Sequence, residues 1–172
     1  MKFNLGSLSL LAAAVLASPI IQQRADMQVY KLSVSCKLNA ALDGQEIKLS
    51  GSTLGVYQDA NATPVQVYPT NTTTQDVLSL HMYPIGIVDH ALGLTNGPGL
   101  FDFVDIVNPA ASSSSGDWQT FQMSEGKITN DNVGQWLAFP DTSSSWVIRW
   151  SDNTGVTTAD YMPVDVLYQS IN

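Results

Sequence analysis

The chain has 172 residues, and fifteen acidic residues against seven lysines and arginines give it a formal net charge of −8 at pH 7. An acidic excess of this size repels phosphate backbones and anionic lipid surfaces, which argues against nucleic acids and anionic membranes as partners. The length and the 44% share of hydrophobic residues suit one globular domain with its own core.

The N-terminus has the pattern of a secretory signal peptide. Lys2 gives a basic start, residues 8–16 form an apolar run, and residues 17–19 (Ala-Ser-Pro) supply small residues and then a helix breaker. The run is shorter than the roughly 20 residues that span a bilayer, which disfavours a membrane anchor. We therefore predict that residues 1–18 are a signal peptide and that the protein is secreted, to the extracellular space or the cell wall. No cofactor is expected there.

Two further segments follow the signal peptide. Residues 19–27 are predicted to be a short pro-segment or a disordered N-terminus, and the sequence Gln22-Gln23-Arg24 offers a cleavage point after Arg24. The remaining residues, 28–172, form the single predicted domain.

Short runs of alternating polar and apolar residues, each ended by Gly, Pro, Asn, Asp or Ser, continue to the C-terminus. This period of two residues predicts β-strands, and no amphipathic helix interrupts it. The predicted strands cover residues 28–36, 46–50, 53–57, 65–68, 77–82, 85–88, 91–95, 100–107, 118–123, 127–129, 135–139, 146–150 and 164–168.

The strand pattern predicts an all-β domain of about a dozen short strands. Antiparallel pairing is expected, because helices long enough for parallel crossovers are missing. Three segments, residues 47–68, 78–107 and 120–150, each read strand, glycine turn, strand, loop and strand. A β-trefoil-like barrel and a two-sheet β-sandwich both fit this spacing.

Catalytic motifs are scarce in the sequence. The Gly-x-Ser-x-Gly nucleophile elbow is missing. Asp102 and Asp105 are three residues apart on one predicted strand, so they point to opposite faces and do not cooperate as a carboxylate pair. We predict that the protein is not an enzyme and has no catalytic residues, with an unrecognised hydrolase as the alternative.

The single cysteine, Cys36, excludes an internal disulfide. A buried, small apolar side chain is the expected role of Cys36. A bridge to a second molecule is the alternative, so we expect a monomer, with a Cys36-linked dimer as the second choice.

His81 and His90 bracket a Pro- and Gly-containing stretch, and Asp89 precedes His90. His81, Asp89 and His90 could hold a metal ion if a hairpin brought them together. The sequence lacks a closely spaced ligand pair, so we predict no metal site and interpret both histidines as turn or surface residues.

Four tryptophans, Trp118, Trp136, Trp146 and Trp150, lie in the last third of the chain. Trp146 and Trp150 share one face of a predicted strand with Ile148. This face is expected to pack in the core, and a sugar-stacking platform is the alternative, because aromatic rings suit the faces of pyranoses. Tryptophans left exposed would be the candidate glycan contacts.

Two sequons match the N-glycosylation pattern. They begin at Asn61 (Asn-Ala-Thr) and Asn71 (Asn-Thr-Thr), beside Pro64 and within a Thr-rich stretch. Both are predicted to lie in exposed loops and to carry glycans in a secreted protein.

Six short motifs give the chain a family resemblance. They are YKLSV at residues 30–34, LDG at 42–44, FQMSEGKIT at 121–129, QWLAFP at 135–140, WVI at 146–148 and MPV at 162–164. Together they resemble fungal secreted cell-wall proteins of the phialide-associated (PhiA-like) type. The resemblance implies a structural or surface-associated role in a filamentous fungus, and it carries no active site. Where such proteins place cysteines, this chain has Phe139 and Tyr161.

We therefore expect a non-enzymatic, glycosylated protein of the cell wall or extracellular space. Two alternatives stay open: a host-directed effector or elicitor that triggers defence or cell death, and a carbohydrate-binding β-trefoil-like module. The expected partners are cell-wall polysaccharide or a host surface component, with no nucleic acid and no membrane span.

Overall fold

The computed structural model describes residues 27–95, 97–111, 116–130, 133–142, 144–155 and 160–171. The predicted signal peptide, residues 1–18, and the cleavage point after Arg24 lie outside the described residues. Among the described residues, no helix is long and apolar enough to cross a bilayer.

The described part of the chain contains thirteen antiparallel strands joined by turns and loops, which confirms the predicted all-β class. They are β1 (Tyr30–Ser35), β2 (Lys48–Ser50), β3 (Thr53–Val56), β4 (Thr63–Pro64), β5 (Gln66–Asn71), β6 (Leu78–Tyr83), β7 (His90–Thr95), β8 (Leu100–Val107), β9 (Phe121–Ser124), β10 (Lys127–Asn130), β11 (Gln135–Thr142), β12 (Ser145–Ser151) and β13 (Met162–Ser170).

One predicted strand is wrong. Residues 85–88 form the connection between β6 and β7 and leave Ile85, Ile87 and Val88 exposed to solvent. Pro84 and Gly86 explain the break, because proline cannot donate to a strand ladder and glycine weakens a strand interior.

The strands close into a barrel. The nine-membered ring runs β1–β5–β6–β7–β8–β3–β12–β11–β13 and returns to β1. β9 and β10 bridge β6 to β13, while β2 and β4 extend from β3. The strands therefore form a closed barrel and not two separate sheets, and closure leaves few free strand edges. The threefold pattern of the predicted β-trefoil-like barrel is not seen in the strand pairing of the described residues. Strand pairing differs among the three similar segments: β6, β7 and β8 pair in succession, whereas β5 pairs with β1 and β6 and not with β2.

The core fills the barrel interior with side chains from alternate strand positions. Ile148 and Trp150 point inward from β12, as their shared face predicts. Trp136 lies between Phe103 and Trp150, with ring centroids 4.8 Å and 5.1 Å apart. Trp136 and Trp150 are therefore core residues, and their burial contradicts a role as sugar-stacking surfaces.

Cys36 is 2% exposed. Its Sγ atom lies 4.0 Å from the carbonyl oxygen of Pro163, which belongs to β13. The small apolar role predicted for Cys36 agrees with this location. The location of Cys36 argues against the Cys36-linked dimer, because a thiol buried in this way cannot reach a second molecule without local opening of the barrel.

Phe139 and Tyr161 are in contact, with ring centroids 5.9 Å apart and planes tilted by 35°. The Arg149 guanidinium lies over the Phe139 ring at 5.3 Å, and its Nε is 2.7 Å from an Asp102 carboxylate oxygen. The two positions singled out by the family resemblance therefore do form one packed pair.

Candidate functional site

A surface cleft of about 760 Å³ lies beside the β6–β7 connection. We call it the β6–β7 cleft. Its floor carries Tyr68, His81, His90 and Asp105, and one wall is the connection itself, residues 84–89. Leu49, Thr63 and Pro64 complete the lining. Most of this lining is apolar or aromatic, with a few polar groups, as in small-molecule sites.

His81 is held in the floor by its neighbours on the sheet. Tyr68 on β5 is the cross-strand partner of His81 on β6, and the two rings stack with centroids 5.5 Å apart. Trp118 packs edge-on against the same imidazole at 5.9 Å. His81 is therefore buried, which corrects its interpretation as a surface residue and leaves Trp118 only partly exposed.

Each histidine has its own carboxylate. His81 Nδ1 lies 2.8 Å from Asp89 Oδ1, and His90 Nδ1 lies 2.7 Å from Asp105 Oδ2. His81 Nε2 is also bonded, to the Ser79 hydroxyl at 3.1 Å. Both ring nitrogens of His81 are thus occupied, so His81, Asp89 and His90 do not form a shared ligand set. The described residues contain no group of three that could hold a metal ion.

Ser79, His81 and Asp89 are linked in the order of a serine-hydrolase triad. Ser79 and His81 share one face of β6, because strand residues two apart point the same way. Ser79 is only 2% exposed, however, and also hydrogen-bonds to the Thr70 hydroxyl. A substrate carbonyl cannot reach its Oγ in this structure.

The wall of the cleft is unusually apolar for a solvent-facing loop. Ile87 is fully exposed, and the side chains of Ile85 and Val88 beside it are about half exposed. Tyr83 continues the same surface at the end of β6. Contiguous exposed apolar side chains of this kind mark interaction sites.

The Tyr68 hydroxyl reports on the charge in the cleft. Burial raises the pKa of Tyr68 above its ordinary value, and the negative charge of Asp89 raises that pKa further. We expect Asp89→Asn to lower the pKa of Tyr68 but to leave it above about 10, because burial remains. Absorbance titration of tyrosinate, with Tyr68→Phe to identify the signal, measures this change.

The matched control is Asp141→Asn. Burial and then the charge of Asp141 raise the pKa of Tyr57, so this variant should lower the Tyr57 pKa and leave that of Tyr68 alone. Because the folded-state pKa of Tyr68 is raised, the contribution of Tyr68 to folding stability is fully present below its unfolded-state pKa of about 10. This contribution is lost as the pH rises from there through the folded-state pKa. An unchanged Tyr68 pKa in Asp89→Asn would show that the carboxylate lies farther from the hydroxyl than the structure indicates.

The sequon asparagines lie away from the core. Asn61 is exposed in the turn before β4, as predicted. Asn71 is also exposed but is the last residue of β5, which corrects its predicted place in a loop. Of the four tryptophans, Trp118 and Trp146 are partly exposed, so these two are the ones still accessible to a glycan.

Sequence reasoning identified both histidines and Asp89 but missed Tyr68 and Ser79, and it considered Asp105 only as a partner of Asp102. Ser79 could have been predicted from the sequence, because residues two apart on a strand point to the same face and Ser79 precedes His81 by two. The positions of Tyr68 and Asp105 beside the histidines could not be predicted locally, because they follow from the β5–β6 and β7–β8 registers.

No protein-family model matches the chain, and no curated protein and no solved structure is found to be similar to it.

Proposed function

We propose that this chain is a non-enzymatic, secreted glycoprotein of the fungal cell wall or extracellular space, and that its β6–β7 cleft binds a ligand without changing it chemically. The observation that carries the proposal is the exposure of both sequon asparagines, Asn61 and Asn71, on a chain that begins with a secretory pattern. Glycan transfer needs an accessible asparagine, and sequons buried in the barrel would have argued against it.

The state of the cleft residues supports a binding role over a catalytic one. The linked side chains of Ser79, His81 and Asp89 have the order of a triad, but Ser79, which would be the nucleophile, is only 2% exposed. A hydrolase of the serine type needs an accessible nucleophile beside its base. The groups that a ligand can contact in the cleft are mainly apolar side chains and carboxylates.

Secretion and glycosylation are tested together by expression of the full chain in a eukaryotic host. We expect the protein in the culture medium, carrying one glycan at each sequon. Asn61→Gln and Asn71→Gln should each increase electrophoretic mobility by one step, and the double variant should migrate like enzymatically deglycosylated protein.

Asn39→Gln is the matched control, since Asn39 is followed by two alanines and is not a sequon. Its mobility should equal that of the wild type. Protein retained in the cell, or secreted protein whose mobility is the same in all four variants, would contradict the proposal.

A further inference from the structure

The geometry points to a single-chain amphiphile with a positively charged amine or ammonium head as the ligand of the β6–β7 cleft. The inference rests on the proposed function, because it assumes that the cleft binds its ligand and releases it unchanged. It adds the chemical class of that ligand, an apolar chain joined to one cationic group.

The apolar part of this ligand follows from the wall of the cleft. Ile85, Ile87 and Val88 are exposed, and Leu49 and Pro64 line the same cleft. A cleft of 760 Å³ lies within the range of about 300–1,000 Å³ that is typical of small-molecule sites. An alkyl chain among these side chains would remove their apolar surface from water, which is favourable.

The charge of the head group follows from the carboxylates. The Asp89 side chain is 45% exposed at the edge of the cleft, and only its Oδ1 is bonded to His81. Asp105 adds a second carboxylate behind His90. No lysine or arginine occurs among the described lining residues, and the whole chain carries a net charge of −8. An anion is therefore repelled, and a cation is attracted.

The tyrosines favour a cation as well. Tyr68 and Tyr83 both line the cleft that Asp89 also lines. Aromatic rings attract ammonium groups through their quadrupole, and quaternary ammonium ligands are commonly held by such rings. A neutral head group would gain neither the carboxylate nor this ring attraction.

Calorimetric titration of the secreted, glycosylated chain with three ligands of equal chain length tests the inference. The probes are decyltrimethylammonium, decyl glucoside and decanoate, each kept below its micelle-forming concentration. We expect decyltrimethylammonium to bind about two- to fivefold more tightly than the glucoside, the range expected for one partly exposed charge pair. Decanoate should show no binding.

Two variants assign the binding to the cleft. Asp89→Asn keeps an oxygen that can accept from His81 but removes the charge, so ammonium affinity should fall about two- to fivefold. Ile87→Ser should weaken all binding about threefold or more, because the apolar contact is lost. Because Ile87 is fully exposed, its replacement should leave folding unchanged, and thermal unfolding checks this. The matched control, Asp76→Asn on another exposed loop, should bind like the wild type.

The possible failures are distinguishable. Equal affinity for the three probes, tighter binding of decanoate, or binding to phosphatidylcholine vesicles without binding of the free ammonium probe would overturn the inference and leave the proposed function standing. Hydrolysis of a soluble ester that is lost in Ser79→Ala would overturn the non-enzymatic function, whatever the probe affinities are.

Discussion

Replacing Trp136 with alanine is expected to lower the free energy of unfolding by about 3–5 kcal/mol, the usual loss for a large aromatic side chain in a core. Trp136 is 3% exposed and packs against Phe103 and Trp150 at the centre of the barrel. Its indole N–H also donates to the Ile128 carbonyl at 2.7 Å, which ties β11 to β10. Domains of this size have a total stability of about 5–15 kcal/mol, so the loss is a large share.

Urea unfolding followed by far-ultraviolet circular dichroism measures this loss, since tryptophan fluorescence changes with the substitution itself. Trp136→Phe separates the two contributions: it keeps most of the packing and removes the hydrogen bond, at an expected cost of about 1–3 kcal/mol. If Trp136→Ala does not fold, Trp136→Phe still gives a measurable value. The control is Trp146→Ala, whose partly exposed side chain should cost less. A loss below about 1 kcal/mol for Trp136→Ala would contradict the central position of this ring.

The local pattern predicts strands such as β1, β10 and β13 because they bury alternate residues. In β12 the inward side chains Ile148 and Trp150 alternate with the less buried Val147 and Arg149, which is the period of two residues that the sequence displays. The same period of two predicts that Asp102 and Asp105 point to opposite faces. In the structure Asp102 contacts Arg149, whereas Asp105 contacts His90.

The same pattern misled at residues 85–88, where an apolar run was interpreted as a strand. Composition alone does not say whether an apolar side chain is buried. Ile85, Ile87 and Val88 are exposed, and this mismatch between chemistry and burial supports the proposal that the cleft wall is a binding surface. The strand prediction fails at this point because Pro84 and Gly86 disfavour a strand ladder.

Barrel closure and the candidate site depend on pairings between distant segments. Tyr30 at the start of the domain is the partner of Ser170 near its end, and this register brings β1 against β13. His90 reaches Asp105 because β7 and β8 pair with one register and not another. A shift of one residue in the pairing of a strand would move all of its side chains to the other face of the sheet. The register therefore cannot be predicted from the local sequence alone.

Phe139 and Tyr161 are expected to contribute to stability as a coupled pair. Phe139 is nearly buried, and we expect Phe139→Ala to lower the free energy of unfolding by about 3 kcal/mol. Tyr161 is 39% exposed, so Tyr161→Ala should cost about 1 kcal/mol. The contact between the rings should appear as a coupling energy of about 0.5–1.5 kcal/mol in a double-mutant cycle measured by urea unfolding.

The control cycle combines Phe139→Ala with Tyr30→Ala, since Tyr30 packs against Tyr168 instead of Phe139. The effects of this second pair should add within about 0.3–0.5 kcal/mol. Coupling no larger than in the control would mean that Phe139 and Tyr161 pack independently. A clear coupling, together with a Phe139 loss in the range of about 2–4 kcal/mol that a disulfide supplies, would mean that aromatic burial performs the stabilising role of a cross-link at these two positions. That result would explain how a barrel with one cysteine, itself buried at Cys36, holds its C-terminal strand in place.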